Sequence, residues 1–503
     1  MAITPTVDEA VAAPAAASLA TLSRLQSKLQ SKLPLSLLVA LVVGSILGSG
    51  IFGLPQNMAA GAGAGAILIG WLITGVGMLA LALVYQSLAI RKPDLNNGVY
   101  AYARATAGEY VGFNAAWGYW VSAWIGNVGY LVAAFGALGY FFPVFGDGNT
   151  AASIAGASVV LWVVHLLVLR GIQGAAMLNA VVTLAKLVPL LLFIALVALA
   201  FQFKTFTFDF WGAAAPGSTL GPVLDQVRST MLVTVWVFIG IEGASVYSAR
   251  AQRREDVGRA TVIGFVITLV LLMAVSLLSL GVLQQPALAQ LKNPSMAGVL
   301  ESAVGTWGAV LIYIGLIVSV GGGFLAWMLL AAESLFTPAG GGVMPAWLAR
   351  QNGQGVPANA LWLTNGMVQL FLLVTLFSKA SYLALISLST AMILLPYLFS
   401  ALYGVLVAKR GEGAAGTQRP IDLPIAGLAS VYCLWLLYAA GPKYLLLGAL
   451  LYAPGAAVYL WARKQRAEQA ERAFKGYELG IFALLLLMAV VAAYLLATGG
   501  LSL

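Results

Sequence analysis

Two stretches, each in the middle of an apolar run and each interrupted by glycine, hold the residues best suited to chemistry. The first reads Gly44-Ser45-Ile46-Leu47-Gly48-Ser49-Gly50-Ile51-Phe52-Gly53-Leu54-Pro55, the second Trp236-Val237-Phe238-Ile239-Gly240-Ile241-Glu242-Gly243-Ala244. Around Ser49 the residue types favour an unwound turn followed by a fresh helix start. A helix broken within hydrocarbon offers N–H groups and a positive dipole end from its second half, and carbonyls from its first. Each end is worth up to about 2 kcal/mol in a partly buried geometry. An α-amino acid carries an anion and a cation on one carbon, which such a pair of ends can hold. Gly44 and Gly48 also fit close helix packing of the small-xxx-small kind. The recurrence of the pattern, with an acid in the second stretch, favours broken helices.

Few ionisable groups lie at membrane depth. Glu242 is the acid near the centre of a span, and Lys186 sits mid-span in Thr183-Leu184-Ala185-Lys186-Leu187-Val188-Pro189. A central carboxyl can simply hydrogen-bond a neighbouring helix, and a lysine can snorkel to an interface, although a mid-span position makes that difficult. His165 and Cys433, the one His and the one Cys, have the character of packing residues.

The elements that must position these groups follow from composition. Of 503 residues 61% are apolar and 9% charged, against roughly 25% charged in a soluble domain. So much apolar surface requires a polytopic membrane protein. One His and one Cys supply no disulfide framework, Cys/His metal site or Ser–His constellation with redundancy. An intramembrane enzyme is therefore disfavoured, and no cofactor is implied. Thirteen spans are expected, near 36–62, 66–90, 110–142, 151–169, 174–202, 229–249, 260–284, 303–332, 358–378, 381–408, 423–441, 444–462 and 479–498. Residues 1–33 lack an apolar core before a cleavage site, so a secretory signal is not expected.

With the N-terminus in the cytoplasm, 20 of the 26 Lys and Arg fall on the inner side and five outside, as the positive-inside rule requires. The net charge of +9 is thus topology in a lipid bilayer and not a nucleic-acid footprint. The interrupted spans are the first and the sixth, at matching places in two five-span halves. That is the pattern of an inverted-repeat transporter with its site at the bilayer midplane. The expected organisation is a cytoplasmic segment 1–33, a first repeat 34–202, a second repeat 203–408 including its external loop, and accessory spans 409–503.

Several motifs in order carry a resemblance: Gly48-Ser49-Gly50-Ile51-Phe52 with Pro55, Gly98-Val99-Tyr100-Ala101-Tyr102, Trp124-Ile125-Gly126-Asn127, and Phe238-Ile239-Gly240-Ile241-Glu242 with the basic run after Ser248. Over nearly its whole length the chain resembles the amino acid–polyamine–organocation superfamily. Within it the chain is most similar to the basic amino acid/polyamine antiporters, and especially to their arginine/ornithine branch.

The resemblance implies an all-α, five-plus-five inverted-repeat (LeuT-type) core with broken first and sixth helices, plus additional C-terminal helices. It implies that Ile46, Ser49 and Gly50, with the backbone carbonyls of Trp236 and Ile239, bind the substrate carboxylate and amine. Trp236 and Trp327 match tryptophans that line the site, where a guanidinium over an indole gains about 2 kcal/mol when desolvated. Asn127 matches a residue that binds the substrate side chain, while Ser122 and Ala123 depart from the Ala-Cys pair of the arginine/agmatine type. Ser389 and Tyr397 match a substrate-side serine and a gating tyrosine, and Glu242 a gate-coupling carboxylate. Lys186 matches a fifth-helix lysine whose ammonium replaces sodium at the first-helix break. Some relatives are dimers, which leaves a homodimer open.

The function expected is electroneutral, sodium-independent exchange of cationic amino acids across a bacterial inner membrane. Arginine for ornithine is the leading pair, with lysine and agmatine as further candidates. The alternative is a proton-coupled or uniport permease for lysine or another amino acid or amine. A substrate-sensing receptor on a transporter fold would call for a larger soluble output domain than the polar segments provide.

Overall fold

A computed structural model describes residues 34–95, 98–171, 175–212, 220–242, 254–378, 381–413, 419–465 and 474–501. Residues 1–33, and 243–253 with the end of the sixth span and most of the basic run after Ser248, lie outside the described residues. Among the described residues every regular element is a helix, as an apolar chain in lipid requires, because a helix satisfies its own backbone groups.

In chain order the principal helices are α1 (Leu35–Ile46), α2 (Leu54–Ala59), α3 (Ala64–Arg91), α4 (Gly98–Ala107), α5 (Glu109–Phe141), α6 (Ala151–Leu169), α7 (Ala175–Ala200) and α8 (Val223–Trp236). They continue with α9 (Arg254–Ser279), α10 (Ser295–Val304), α11 (Thr306–Gly340), α12 (Ala358–Ser378), α13 (Tyr382–Lys409), α14 (Asp422–Gln465) and α15 (Gly476–Ala497).

Nine described helices are long and apolar enough to cross a membrane, ten if the bent pair α1 and α2 counts as one. The thirteen spans expected differ for identifiable reasons. The sixth runs into undescribed residues, and only Ala185–Ala200 of the fifth enters the tally, as a shorter apolar helix. The eleventh and twelfth are both present within α14, as two helical segments that meet at Gly441, whose φ of 70° is not helical.

The core is built around α5, 78% of whose apolar window is buried against 11% for α15. α11 and α13 pack along it, and its tryptophans interlock: Trp117 with Trp120 at 4.8 Å and Trp120 with Trp124 at 6.2 Å between ring centroids. Glycine permits the closest approach. A Cβ on Gly118 would fall 1.9 Å from Tyr452 Oη, so α14 reaches the α5 backbone only because no side chain stands there.

Long-range ion pairs join segments that the charge bias puts on one side. Arg91–Asp422 (3.0 Å), Lys92–Glu412 (2.6 Å) and Arg463–Glu109 (2.7 Å) join loops expected inside, while Lys292–Asp147 (2.8 Å) joins two expected outside. Lys92 holds the Glu412 carboxyl below its ordinary range through their hydrogen bond, and the same bond raises the Lys92 ammonium.

Arg91 is buried and donates from its guanidinium to Asp422 and to the carbonyls of Val407 and Glu412. Breaking such a buried set costs about 3–5 kcal/mol, whereas an exposed pair contributes about 0–1 kcal/mol. Arg91→Ala should therefore lower the melting temperature in detergent clearly. Arg410→Ala, which loses only an exposed 3.4 Å contact to Glu412, should leave it nearly unchanged.

A cleft between two helix ends

α1 stops at Ile46 because the next two residues leave helical geometry, Leu47 at ψ 95° and Gly48 at ψ −165°. A 3₁₀ turn, Ser49–Gly53, then passes the chain to α2, with Pro55 in its first turn. The two halves are bent by 51°. α8 stops at Trp236 in a tighter turn, with Phe238 N–H donating to Val235 O (2.9 Å) and Ile239 N–H to Trp236 O (3.2 Å). Gly240 closes it at φ 107°, a conformation that side chains oppose.

The turns that follow α1 and α8 lie against one another. A Cβ on Gly50 would come within 2.7 Å of Trp236 Nε1 and 3.1 Å of Val237 Cγ1. Beside this contact opens a narrow cleft. Ile46, Gly48 and Gly50 line it from the first break, Val237 and Ile239 from the second, and the rings of Tyr130, Trp236 and Trp327 wall it. Ser49 is buried in the same turn.

α5 packs closely here as well. Trp236 Cη2 would stand 3.0 Å, and Ser389 Oγ 3.7 Å, from a Cβ on Gly126. Ser389 Oγ donates to Ser122 O at 2.7 Å and lies 3.2 Å from Ser122 Oγ, so these two serines satisfy each other. Asn127 is fully buried, and neither its amide nitrogen nor its oxygen has a partner within the described structure. A buried amide left so costs about 1–3 kcal/mol per group. Ala123 is buried but does not line the cleft.

Glu242, at the second break, ties three elements together. Its Oε1 accepts Tyr119 O–H (2.7 Å) and its Oε2 accepts Tyr397 O–H (2.8 Å) and Gly240 N–H (3.2 Å). Tyr397 in turn meets the Tyr85 ring edge-on at 6.0 Å. Lys186 of α7 donates from Nζ to Gly44 O at 3.1 Å and to Leu47 O. Both are carbonyls at the end of α1 that the break deprives of helical partners.

Two tyrosines went unread in the sequence. Tyr130 faces Trp236 at 6.4 Å and walls the cleft, and Tyr119 binds Glu242. Each lies three residues from a residue already singled out, Asn127 and Ser122, and i,i+3 neighbours share a helix face. That spacing was the available signal. His165 bonds Asn365 Nδ2 through Nδ1 at 2.8 Å and packs on Trp362, away from the cleft, and Cys433 is buried and unpaired.

Comparison with known proteins matches residues 34–445 to the amino acid permease family model. The chain is 56% identical over 462 residues to an arginine/ornithine antiporter of Pseudomonas aeruginosa, covering 90% of this chain and 95% of that protein. It is 46% identical over 472 residues to an L-lysine transport protein of Corynebacterium glutamicum, covering 90% and 93%. To an arginine/agmatine antiporter of Chlamydia caviae it is 41% identical over 456 residues, covering 89% and 93%.

Proposed function

This chain belongs to the amino acid permease family, and we propose that it exchanges arginine for ornithine across a bacterial inner membrane by alternating access. The observation that carries the reading is the cleft, where two helix breaks and the indoles of Trp236 and Trp327 converge. In this reading the amides of Ser49 and Gly50, beside Ile46, receive the substrate carboxylate. The carbonyls of Trp236 and Ile239 receive its ammonium, Trp236 by the lone pair that Ile239 N–H leaves. A guanidinium or side-chain ammonium lies between the indoles, a contact worth about 2 kcal/mol when desolvated. Asn127 supplies the amide partner for its far end, and the paired Ser122 and Ser389 keep that side of α5 dry.

Exchange of two singly charged substrates moves no net charge and avoids about 2.3 kcal/mol per charge per 100 mV of membrane potential. Lys186 stands where a free cation would otherwise neutralise the carbonyls of the first break, which makes transport independent of sodium. Glu242, bridging Tyr119 and Tyr397, couples the second break to α5 and α13. The N-terminus is cytoplasmic, and residues 34–202 and 203–408 form the two repeats that rock against each other, with 409–503 accessory. The lysine transport relative favours a second reading, lysine carried by uniport or proton coupling.

Proteoliposomes separate the two. Labelled arginine should enter only vesicles loaded with ornithine, at a rate indifferent to sodium and to imposed voltage. Lysine or agmatine inside should substitute to a lesser degree. Equal entry into empty vesicles, driven by voltage or by a pH gradient, would replace the exchanger by the permease.

A further inference from the structure

α5 carries Tyr119, Ser122, Asn127 and Tyr130, yet it begins without a cap of its own. The residue before it is Gly108, at φ 92° and with no side chain to accept from the first turn. The opening N–H groups of a helix have no helical acceptor. The acceptor for Tyr110 N–H comes from the far end of the chain: Glu478 Oε1, at 3.1 Å, 368 positions away in sequence. The other oxygen of the same carboxylate, Oε2, accepts Lys475 N–H at 2.8 Å and starts α15. One buried side chain, 2% exposed, thus opens two helices.

Independent features surround this contact. A Cβ on Gly108 would fall 2.5 Å from Glu478 Oε1 and 2.9 Å from Tyr477 Oη, so the glycine is shaped to its partner helix as well as to its φ. Tyr477 O–H donates to Ala107 O at 3.1 Å. The Tyr110 ring packs on Tyr459 and on Phe474, each at 5.1 Å, and Phe474 stacks on Phe482 of α15 at 5.2 Å. A carboxylate at a helix start also opposes the positive dipole end. Among the described residues none of α15 lines the cleft.

We propose that Glu478 is a positioning residue for exchange. By capping α5 from α15 it fixes the inner end of the helix that presents Tyr130 to the cleft, and the last helix serves as a clamp. The inference rests on the transport reading above. Without the cap the inner end of α5 loosens, and the step between inward and outward states slows. The groups that contact substrate remain unaltered.

The test compares wild type, Glu478→Ala and Glu478→Gln for two quantities: equilibrium arginine binding in detergent, and the arginine/ornithine exchange rate per incorporated protein at saturating arginine. Glu478→Ala should exchange at least fivefold more slowly while binding arginine within twofold of wild type. Glu478→Gln, which keeps one acceptor oxygen for two N–H groups, should fall between. Wild-type exchange by Glu478→Ala overturns the proposal. Parallel loss of binding and rate, with glutamine no better than alanine, also overturns it, since that marks a merely structural residue. If Glu478→Ala does not accumulate, the near-isosteric glutamine variant decides: rate and binding both at wild-type values overturn the clamp. Wild type in the same vesicles tests the transport reading separately, because its failure to exchange would sink that reading before any variant is compared.

Discussion

Lys186→Ala is expected to slow exchange by at least tenfold and to make the remaining rate respond to sodium. The Lys186 ammonium donates to Gly44 O and Leu47 O, which the break at Leu47–Gly48 leaves without helical partners. Buried polar groups left unpaired cost about 1–3 kcal/mol each, and about 1.4 kcal/mol corresponds to a factor of ten. Two orphaned carbonyls therefore either collapse α1 toward regular helix, closing the cleft that Ile46 and Gly48 line, or recruit another cation. Sodium is the small cation at hand. Measuring exchange by the variant in sodium and in choline media distinguishes these outcomes. A normal rate, indifferent to the medium, would remove Lys186 from the mechanism.

Why some of this was legible before the structure, and some not, follows from what each residue costs where it stands. Gly48, Ser49, Gly50 and Gly240 are poor choices inside a hydrocarbon-spanning helix unless the helix is to stop, and all four lie in the turns where α1 and α8 stop. Lys186 is legible for the same reason: an ammonium at membrane depth has to be there for something. Aromatic residues carry no such penalty in lipid. Tyr119 and Tyr130 stand among 19 tyrosines, and a ring facing a cleft is spelled like a ring facing a helix. Their i,i+3 spacing to Ser122 and Asn127 marks a shared helix face, but their partners, Glu242 and Trp236, lie more than 100 positions away. The cap that Glu478 places on α5 is hidden in the same way, for only its partnership with its own N-cap at Lys475 is a local signal. The boundary between the eleventh and twelfth spans was legible from hydropathy, because Gly441, at φ 70°, interrupts the helix where the two apolar runs meet.

Gly50→Ala is expected to weaken arginine binding by about tenfold to a hundredfold while the protein still folds. The added methyl would stand 2.7 Å from Trp236 Nε1 and 3.1 Å from Val237 Cγ1, well inside contact distance, so the indole or the turn behind it must move. Forcing a methyl into a packed site costs about 1–3 kcal/mol. The indole's room to move is the cleft it walls, and there it would occupy the space of the substrate cation. Gly48→Ala sets the scale, since its methyl meets only the Tyr130 hydroxyl, at 3.1 Å, and its effect should be severalfold at most. Cause is separable from coincidence by a second change. If the clash with the indole is what expels substrate, Trp236→Phe in the Gly50→Ala background should cost less than it does alone, a coupling that a double-mutant cycle reads directly. Additive losses would mean that Gly50 matters through its own backbone amide, and unaltered binding by Gly50→Ala would mean that the two breaks do not bear on each other when substrate is bound.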